Sequence, residues 1–260
     1  MNGVLFQMPS ALRAELIGKH EFYVRQAKKR LLAQFEEEDI CHEADSEGER
    51  FLEENQSSFN PEFHDVSEFY VMAGDARGER YQLLVEMRNS IRLSIIAGLF
   101  HEWEKNLRKW LVNEVQHWHY GEETKSTIWK RNLSDLFDFL ESFGWPLKNA
   151  PYFKDLDACR LVVNVYKHGQ GTSLNELDKS FPQFLDHPFE EMRGELGEMW
   201  FFPSYDYLKV GNDDLEAFSN AILRFWKDVP GNVLNDQITN PPSWLMKAIE
   251  NDKKMKKQTT

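Results

Sequence analysis

Residues 158–169 have the sequence ACRLVVNVYKHG, which predicts an amphipathic helix that ends at Gly169. Residues four apart are neighbours on a helix, so Arg160, Asn164 and His168 are expected to share one polar face. A leucine and three valines flank that face, and a glycine is a common residue just after a helix. This stretch therefore predicts a helix that packs into a core and holds three polar groups at its edge.

The same stretch also has a purely structural interpretation. Lys167 and His168 occupy the last turn of the predicted helix, where positive charge suits the helix dipole. The β-branched residues Val162, Val163 and Val165 are compatible with a strand as well. A packing role and a functional site therefore both stay open at this point.

The composition describes one globular domain without membrane-spanning segments. Of the 260 residues, 41% are hydrophobic and 13% aromatic, which is ample for a packed core. No run approaches the roughly 18 apolar residues of a transmembrane helix, and the first residues do not form a signal peptide. We therefore expect a cytoplasmic protein with no membrane partner. Cys41 and Cys159 lack metal-type spacing, so neither a disulfide framework nor a metal site is expected.

The net charge of −12 is distributed unevenly along the chain. Between Glu36 and Glu54 there are ten acidic residues and one arginine, which is typical of a solvated helix face. Between Arg88 and Lys109, five basic residues outnumber two acidic ones. A locally positive surface near the candidate site is therefore compatible with the acidic chain, and an RNA substrate is not excluded.

The spacing of apolar residues predicts an all-α fold, a helical bundle with long helices. We expect one domain over 1–260, and a small irregular or β element near 200–210. Glycines at 74–78 are expected to separate a short helix near 66–72 from the long helix that follows. The expected parts are a long N-terminal helical region at 10–55, a core at 79–180, a helical extension at 181–250 and a disordered tail at 251–260.

Two segments together resemble a known family. A long helix containing 87–104 and the later stretch from Arg160 to Gly169 resemble the HEPN superfamily of helical proteins from bacterial defence and toxin systems. The resemblance covers roughly residues 80–180. In that family the motif is an Arg, usually followed by a polar residue, then four to six residues and a His. The motif serves metal-independent RNA cleavage between two protomers.

Residue by residue, Arg160 and His168 match the family motif. Leu161 follows Arg160, seven residues separate Arg160 from His168, and Asn164 is the substitute for the polar position because it faces the same way. The resemblance implies that Arg160, Asn164 and His168 are catalytic. It also implies an endoribonuclease of antiphage or toxin-type defence without metal or cofactor, acting as a homodimer.

The implied partners are RNA, with tRNA as one candidate, and an antitoxin or defence-system protein. Lys167 and Arg92 are the expected RNA contacts. The residue types suit the chemistry, because histidine titrates near neutral pH and can transfer protons, and arginine stabilises phosphate charge.

Two other functions compete with this interpretation. The first is a non-catalytic HEPN-like module that binds RNA or a protein, in which Arg160 and His168 only pack and cap. The second is a metal-dependent helical-bundle enzyme, which the sequence disfavours because paired Glu-x-x-His motifs are lacking. His117 and His119 are two residues apart, which places them on different sides of a helix.

Overall fold

The computed structural model describes residues 3–58, 60, 65–187, 192 and 202–259, and it has the predicted all-α architecture. The helices of this part of the chain are α1 (Ser10–Ala27), α2 (Glu37–Asn55), α3 (Val66–Trp118), α4 (Glu122–Lys130), α5 (Leu133–Glu141), α6 (Phe153–His168), α7 (Thr172–Ser180), α8 (Asn212–Asp228) and α9 (Ser243–Thr259). Two short strands, β1 (Val4–Gln7) and β2 (Asn232–Leu234), accompany them.

Helix α3 is the centre of the bundle. Its C-terminal half buries Leu99, Trp103, Leu107 and Leu111, which recur every four residues and so line one side of the helix. Helices α1, α6 and α8 pack against α3. One large apolar core results. The buried valines of α6 are part of this core.

The first strand lies near the start of the chain and the second lies before α9. They form an antiparallel pair in which Phe6 is opposite Val233. Phe6 is buried, and its ring contacts Trp110, Phe139 and Phe143. The β element expected near 200–210 is reduced to a single bridge between Leu208 and Leu185 in the described part of that segment. The strand pair therefore forms elsewhere, where a buried aromatic residue anchors it.

Helices α1 and α2 are two helices in series rather than one. A π-helical turn at Lys28–Leu32 and a short 3₁₀ turn end α1, and α2 begins at Glu37. The acidic helix α2 then packs against the first half of α3. We call α2 and residues 66–88 of α3 the arm, which has its own small apolar cluster of Phe35, Ile40 and Leu84.

Helix α3 runs without interruption through Gly74 and Gly78, which corrects the expected break at this point. Both glycines face open space, and glycine keeps the backbone N–H and C=O groups that the helix needs. The helix begins at Val66, where the side chain of Asp65 accepts a hydrogen bond from the backbone of Ser67 at 2.8 Å. Packing against α2 outweighs the low helix propensity of glycine.

Helix α9 extends through Thr259, whereas the sequence suggests a disordered tail from residue 251. Asp252, at the start of this segment, is buried and accepts hydrogen bonds from the backbone N–H groups of Glu123 and Thr124 at 2.9 and 3.0 Å. The Thr124 hydroxyl donates a third bond at 2.6 Å. Asp252 therefore caps α4 from another helix and holds α9 in place. No helix in the described ranges is long and apolar enough to cross a bilayer.

Candidate functional site

Helix α6 has the two faces that its sequence predicts. Leu161, Val162 and Val165 are almost completely buried. Asn164 is half-buried at the edge of the helix, and His168 is exposed at its last residue. The apolar face therefore fixes α6 in the core and leaves the polar face accessible to a ligand.

Arg160 is anchored by carboxylates rather than free. Its Nε donates to Asp157 Oδ1 at 2.7 Å, one helical turn earlier, and its guanidinium lies 3.6 Å from Glu176 Oε2 on α7. The side chain is only 20% exposed. These two carboxylates orient the guanidinium and offset much of its charge.

His168 contrasts with Arg160 in its surroundings. Its ring makes no hydrogen bond or ion pair with any of the residues the structure describes. It lies eight positions after Arg160, which corresponds to about 12 Å along the helix axis. The polar face is therefore a line of three groups with Asn164 midway, and within the described ranges no hydrogen bond joins them to each other.

Gly169 ends α6 with φ 64° and ψ −124°, a conformation that L side chains rarely adopt. A Cβ at this position would lie 3.4 Å from the ring of Tyr205. The predicted end of the helix at Gly169 is thus confirmed, whereas a left-handed helical cap is not formed, because ψ lies far from that region. Its role is to turn the chain sharply so that His168 stays at the end of the helix.

The two expected RNA contacts lie on different surfaces. Lys167 is exposed beside His168, next to Tyr166, whose hydroxyl is 2.8 Å from the Ser94 hydroxyl of α3. Arg92 donates from Nε to Asn212 Oδ1 at 2.9 Å, at the start of α8. Residues two apart on a helix point about 200° apart, so Arg92 faces away from the contact between α3 and the end of α6.

The structure adds neighbours that the sequence analysis missed. Asp157 was accessible to sequence reasoning, since Asp and Arg three residues apart on a helix commonly pair. Glu176 and Tyr205 had no such signal, because their positions beside Arg160 and Gly169 depend on how α7 and the later chain fold back.

A cavity of about 570 Å³ lies between α7 and the start of α8. Asp178, Asp186 and Asp214 line it, and Lys209 is the lysine among its lining residues. Three carboxylates around one lysine disfavour a polyanion there. The polar face of α6 is therefore the better candidate for contact with RNA.

No group of three potential metal ligands occurs in the described part of the chain. His119 instead contacts Asp252 Oδ2 at 3.2 Å. His117 is exposed.

Comparisons of the chain with family models, curated proteins and solved structures give no match. The fold by itself defines the class: an all-α protein, a helical bundle built around one helix of 53 residues.

Proposed function

We propose that the protein is a HEPN-like, metal-independent endoribonuclease of antiphage or toxin-type defence. The observation that supports this function best is the exposed His168 at the end of α6, on the same face as Asn164 and Arg160. A histidine without a partner among the described residues is available for proton transfer. The arginine is the side chain suited to phosphate charge.

The proposed reaction needs two proton transfers. A base removes the proton of a ribose 2′-OH, and the 2′-oxygen attacks phosphorus to form a cyclic phosphate. The bond from phosphorus to the 5′-oxygen breaks, and an acid returns a proton to that oxygen. His168 serves one of these transfers, Arg160 stabilises the charge on the phosphate, and Asn164 orients the ribose hydroxyl or the imidazole.

A second copy of the chain is part of this proposal. One imidazole cannot be base and acid in the same step, so His168 of a second copy supplies the other proton transfer. The exposure of Tyr166, Lys167 and His168 at the end of α6 supports such an arrangement. Dimerisation is therefore expected to be required for cleavage.

The environment of Arg160 favours a second candidate function. A guanidinium already bound by Asp157 and Glu176 has less charge to offer a phosphate. This observation supports a non-catalytic helical module that binds RNA or a protein partner. In that case Arg160 contributes to the packing of α6 against α7 only.

The test is incubation with labelled total RNA and tRNA in excess EDTA. We expect discrete cleavage by the native protein and a loss of about 10²-fold or more in rate for His168→Ala. His117→Ala is the matched control, since His117 is also exposed in the last turn of a helix. Thermal unfolding must show that both variants are folded.

The two candidate functions predict different effects of substituting Arg160. In the ribonuclease, Arg160→Lys keeps the charge but loses the planar fork, so cleavage falls while the melting temperature stays close to that of the native protein. In the binding module, cleavage is absent from every variant. Intact RNA with the native protein, both in EDTA and with divalent metal restored, overturns the ribonuclease proposal. Cleavage that EDTA abolishes indicates a metal enzyme instead.

A further inference from the structure

Helix α9 presents a basic face opposite the face that packs on α4. The packed face consists of Leu245, Ala248, Ile249 and Asp252, all buried. The exposed lysines of the helix are Lys247, Lys253, Lys254, Lys256 and Lys257. Glu250 is the exposed carboxylate on this helix. The whole chain has a net charge of −12, whereas the local net charge of α9 is positive.

Three of these lysines make no ion pair in the described part of the chain, and Glu250, three or four residues away on the helix, offsets only part of their charge. No ion pair joins Lys247, Lys253 or Lys254 to a carboxylate within the ranges the structure describes. On α4, Glu122 is paired with Lys125 at 3.3 Å. The positive charge of α9 is therefore available to an external anion.

Aromatic side chains lie beside two other cations of this region, Lys256 and Arg131. Lys256 Nζ donates to the backbone carbonyl of Tyr120 at 2.6 Å and lies 5.9 Å from the centre of its ring. Tyr120 is 64% exposed. Arg131 lies 5.3 Å from the ring of Trp244 at the start of α9. An exposed ring beside lysines suits a nucleotide, since the base can stack while the phosphate meets the cation.

We propose that Lys247, Lys253, Lys254, Lys257 and Tyr120 form a second RNA-binding surface, the α9 surface, remote from His168. It rests on the proposed function, because it would hold the same RNA that α6 cleaves. The lysines neutralise backbone phosphates, and Tyr120 stacks on a base. A lipid surface fits less well, because an amphipathic helix binds a bilayer through its apolar face, and that face of α9 is buried against α4.

Helix α3 gives the separation of the two RNA contacts. Tyr166 of α6 meets α3 at Ser94, and Arg108 of α3 donates to the carbonyl of Ile128 on α4 at 2.7 Å. These 14 residues span about 21 Å and about four turns, so both contacts lie on the same side of α3. The helices that carry the two proposed RNA contacts therefore meet α3 at points about 21 Å apart along its axis.

The test measures RNA binding apart from cleavage. His168→Ala protein in EDTA is titrated into labelled single-stranded RNA of about 20 or about 4 nucleotides, and fluorescence anisotropy is followed over a range of salt concentrations. The test variant adds Lys247→Gln, Lys253→Gln and Lys254→Gln. The control variant adds Lys19→Gln, Lys29→Gln and Arg30→Gln, which removes three exposed charges from α1 and the π-helical turn that follows it.

We expect the lysine variant to bind the longer RNA about 10-fold or more weakly than the control. The slope of log K against log salt should fall by about 2, since each lost phosphate contact in single-stranded RNA contributes about 0.7. Tyr120→Ala should weaken binding at least about fivefold. The short RNA should show a loss as well, because about four nucleotides can bind the α9 surface on their own.

Equal affinity and equal salt slope for the lysine and control variants overturn the α9 surface. Absence of RNA binding by all variants overturns it together with the proposed function. RNA binding that depends on α9 while native protein leaves RNA intact supports the surface and removes only the ribonuclease. Lysine-dependent binding to phosphatidylserine vesicles without RNA binding overturns the proposal in favour of a membrane contact.

Discussion

Gly121 is the residue whose missing side chain allows Asp252 to reach α4. A Cβ built on Gly121 would overlap the carboxylate of Asp252. Burial acts to raise the pKa of Asp252, but the hydrogen bonds from Thr124, Glu123 and His119 together outweigh it and hold the pKa below its usual value. The carboxylate is therefore ionised at neutral pH and is a strong acceptor for the first turn of α4.

We predict that Gly121→Ala destabilises the protein by about 1 to 3 kcal/mol, because Asp252 must move and its hydrogen bonds are lost. Chemical unfolding followed by circular dichroism measures this. Gly18→Ala is the matched control, since a Cβ at Gly18 meets open space within α1 and should stabilise by about 0.5 to 1 kcal/mol. Equal effects of the two substitutions would contradict the role assigned to Asp252.

At the scale of elements, the arm depends on close contact between α2 and α3. A Cβ on Gly48 would lie 3.2 Å from the carbonyl oxygen of Ala73 and 3.4 Å from Cβ of Arg77. A Cβ here would be more crowded than most, so glycine suits this close approach of the two backbones and a large side chain would push them apart. Ion pairs such as Arg77 with Asp45 at 2.6 Å lie on the surface of the arm and contribute little by comparison.

We predict that Gly48→Leu separates α2 from α3 and weakens the arm, while the core around Trp103 is retained. Amide hydrogen exchange should accelerate in 37–55 and 66–88 and stay slow in α6 and α8. Gly78→Ala is the control in the same arm, because its position is open and alanine favours the helix. Slow exchange in the arm of Gly48→Leu would show that the close approach is not needed.

At the scale of the whole molecule, a buried histidine links stability to pH. His20 is buried between α1 and α8, and its Nε2 lies 2.9 Å from Ser219 Oγ. Burial lowers the pKa of His20 from 6.5 to about 4, although the contact with Ser219 acts in the opposite direction. Between about pH 4 and pH 6.5, His20 therefore binds a proton in the unfolded chain but not in the folded protein.

The free energy of unfolding is expected to lose about 3 kcal/mol from this residue as the pH falls from about 6.5 to about 4. Above about pH 6.5, the full contribution of His20 to the free energy of unfolding is present. Urea unfolding at both ends of this window should show a smaller pH dependence for His20→Gln than for the native protein. His101→Gln, which changes an exposed histidine of α3, should keep the native dependence. An unchanged dependence in His20→Gln would contradict the assignment.

The class of fold and the helical nature of the main segments could be predicted from the sequence alone. Apolar residues three and four apart specify amphipathic helices locally, so α6 and the second half of α3 could be read from their spacing. The same periodicity placed Arg160, Asn164 and His168 on one face. The RNA-cleaving role assigned to them stays a proposal.

Features that join distant parts of the chain depend on tertiary packing and could not be predicted from the sequence. Gly74 and Gly78 are weak helix formers locally, yet α3 continues through them because α2 packs beside it. The position of α9 depends on Asp252, which meets a helix that begins 130 residues earlier. The same holds for Glu176 beside Arg160. Spacing along the sequence encodes neighbours within one helix, whereas contacts between helices depend on how their faces pack, and no local pattern records that packing.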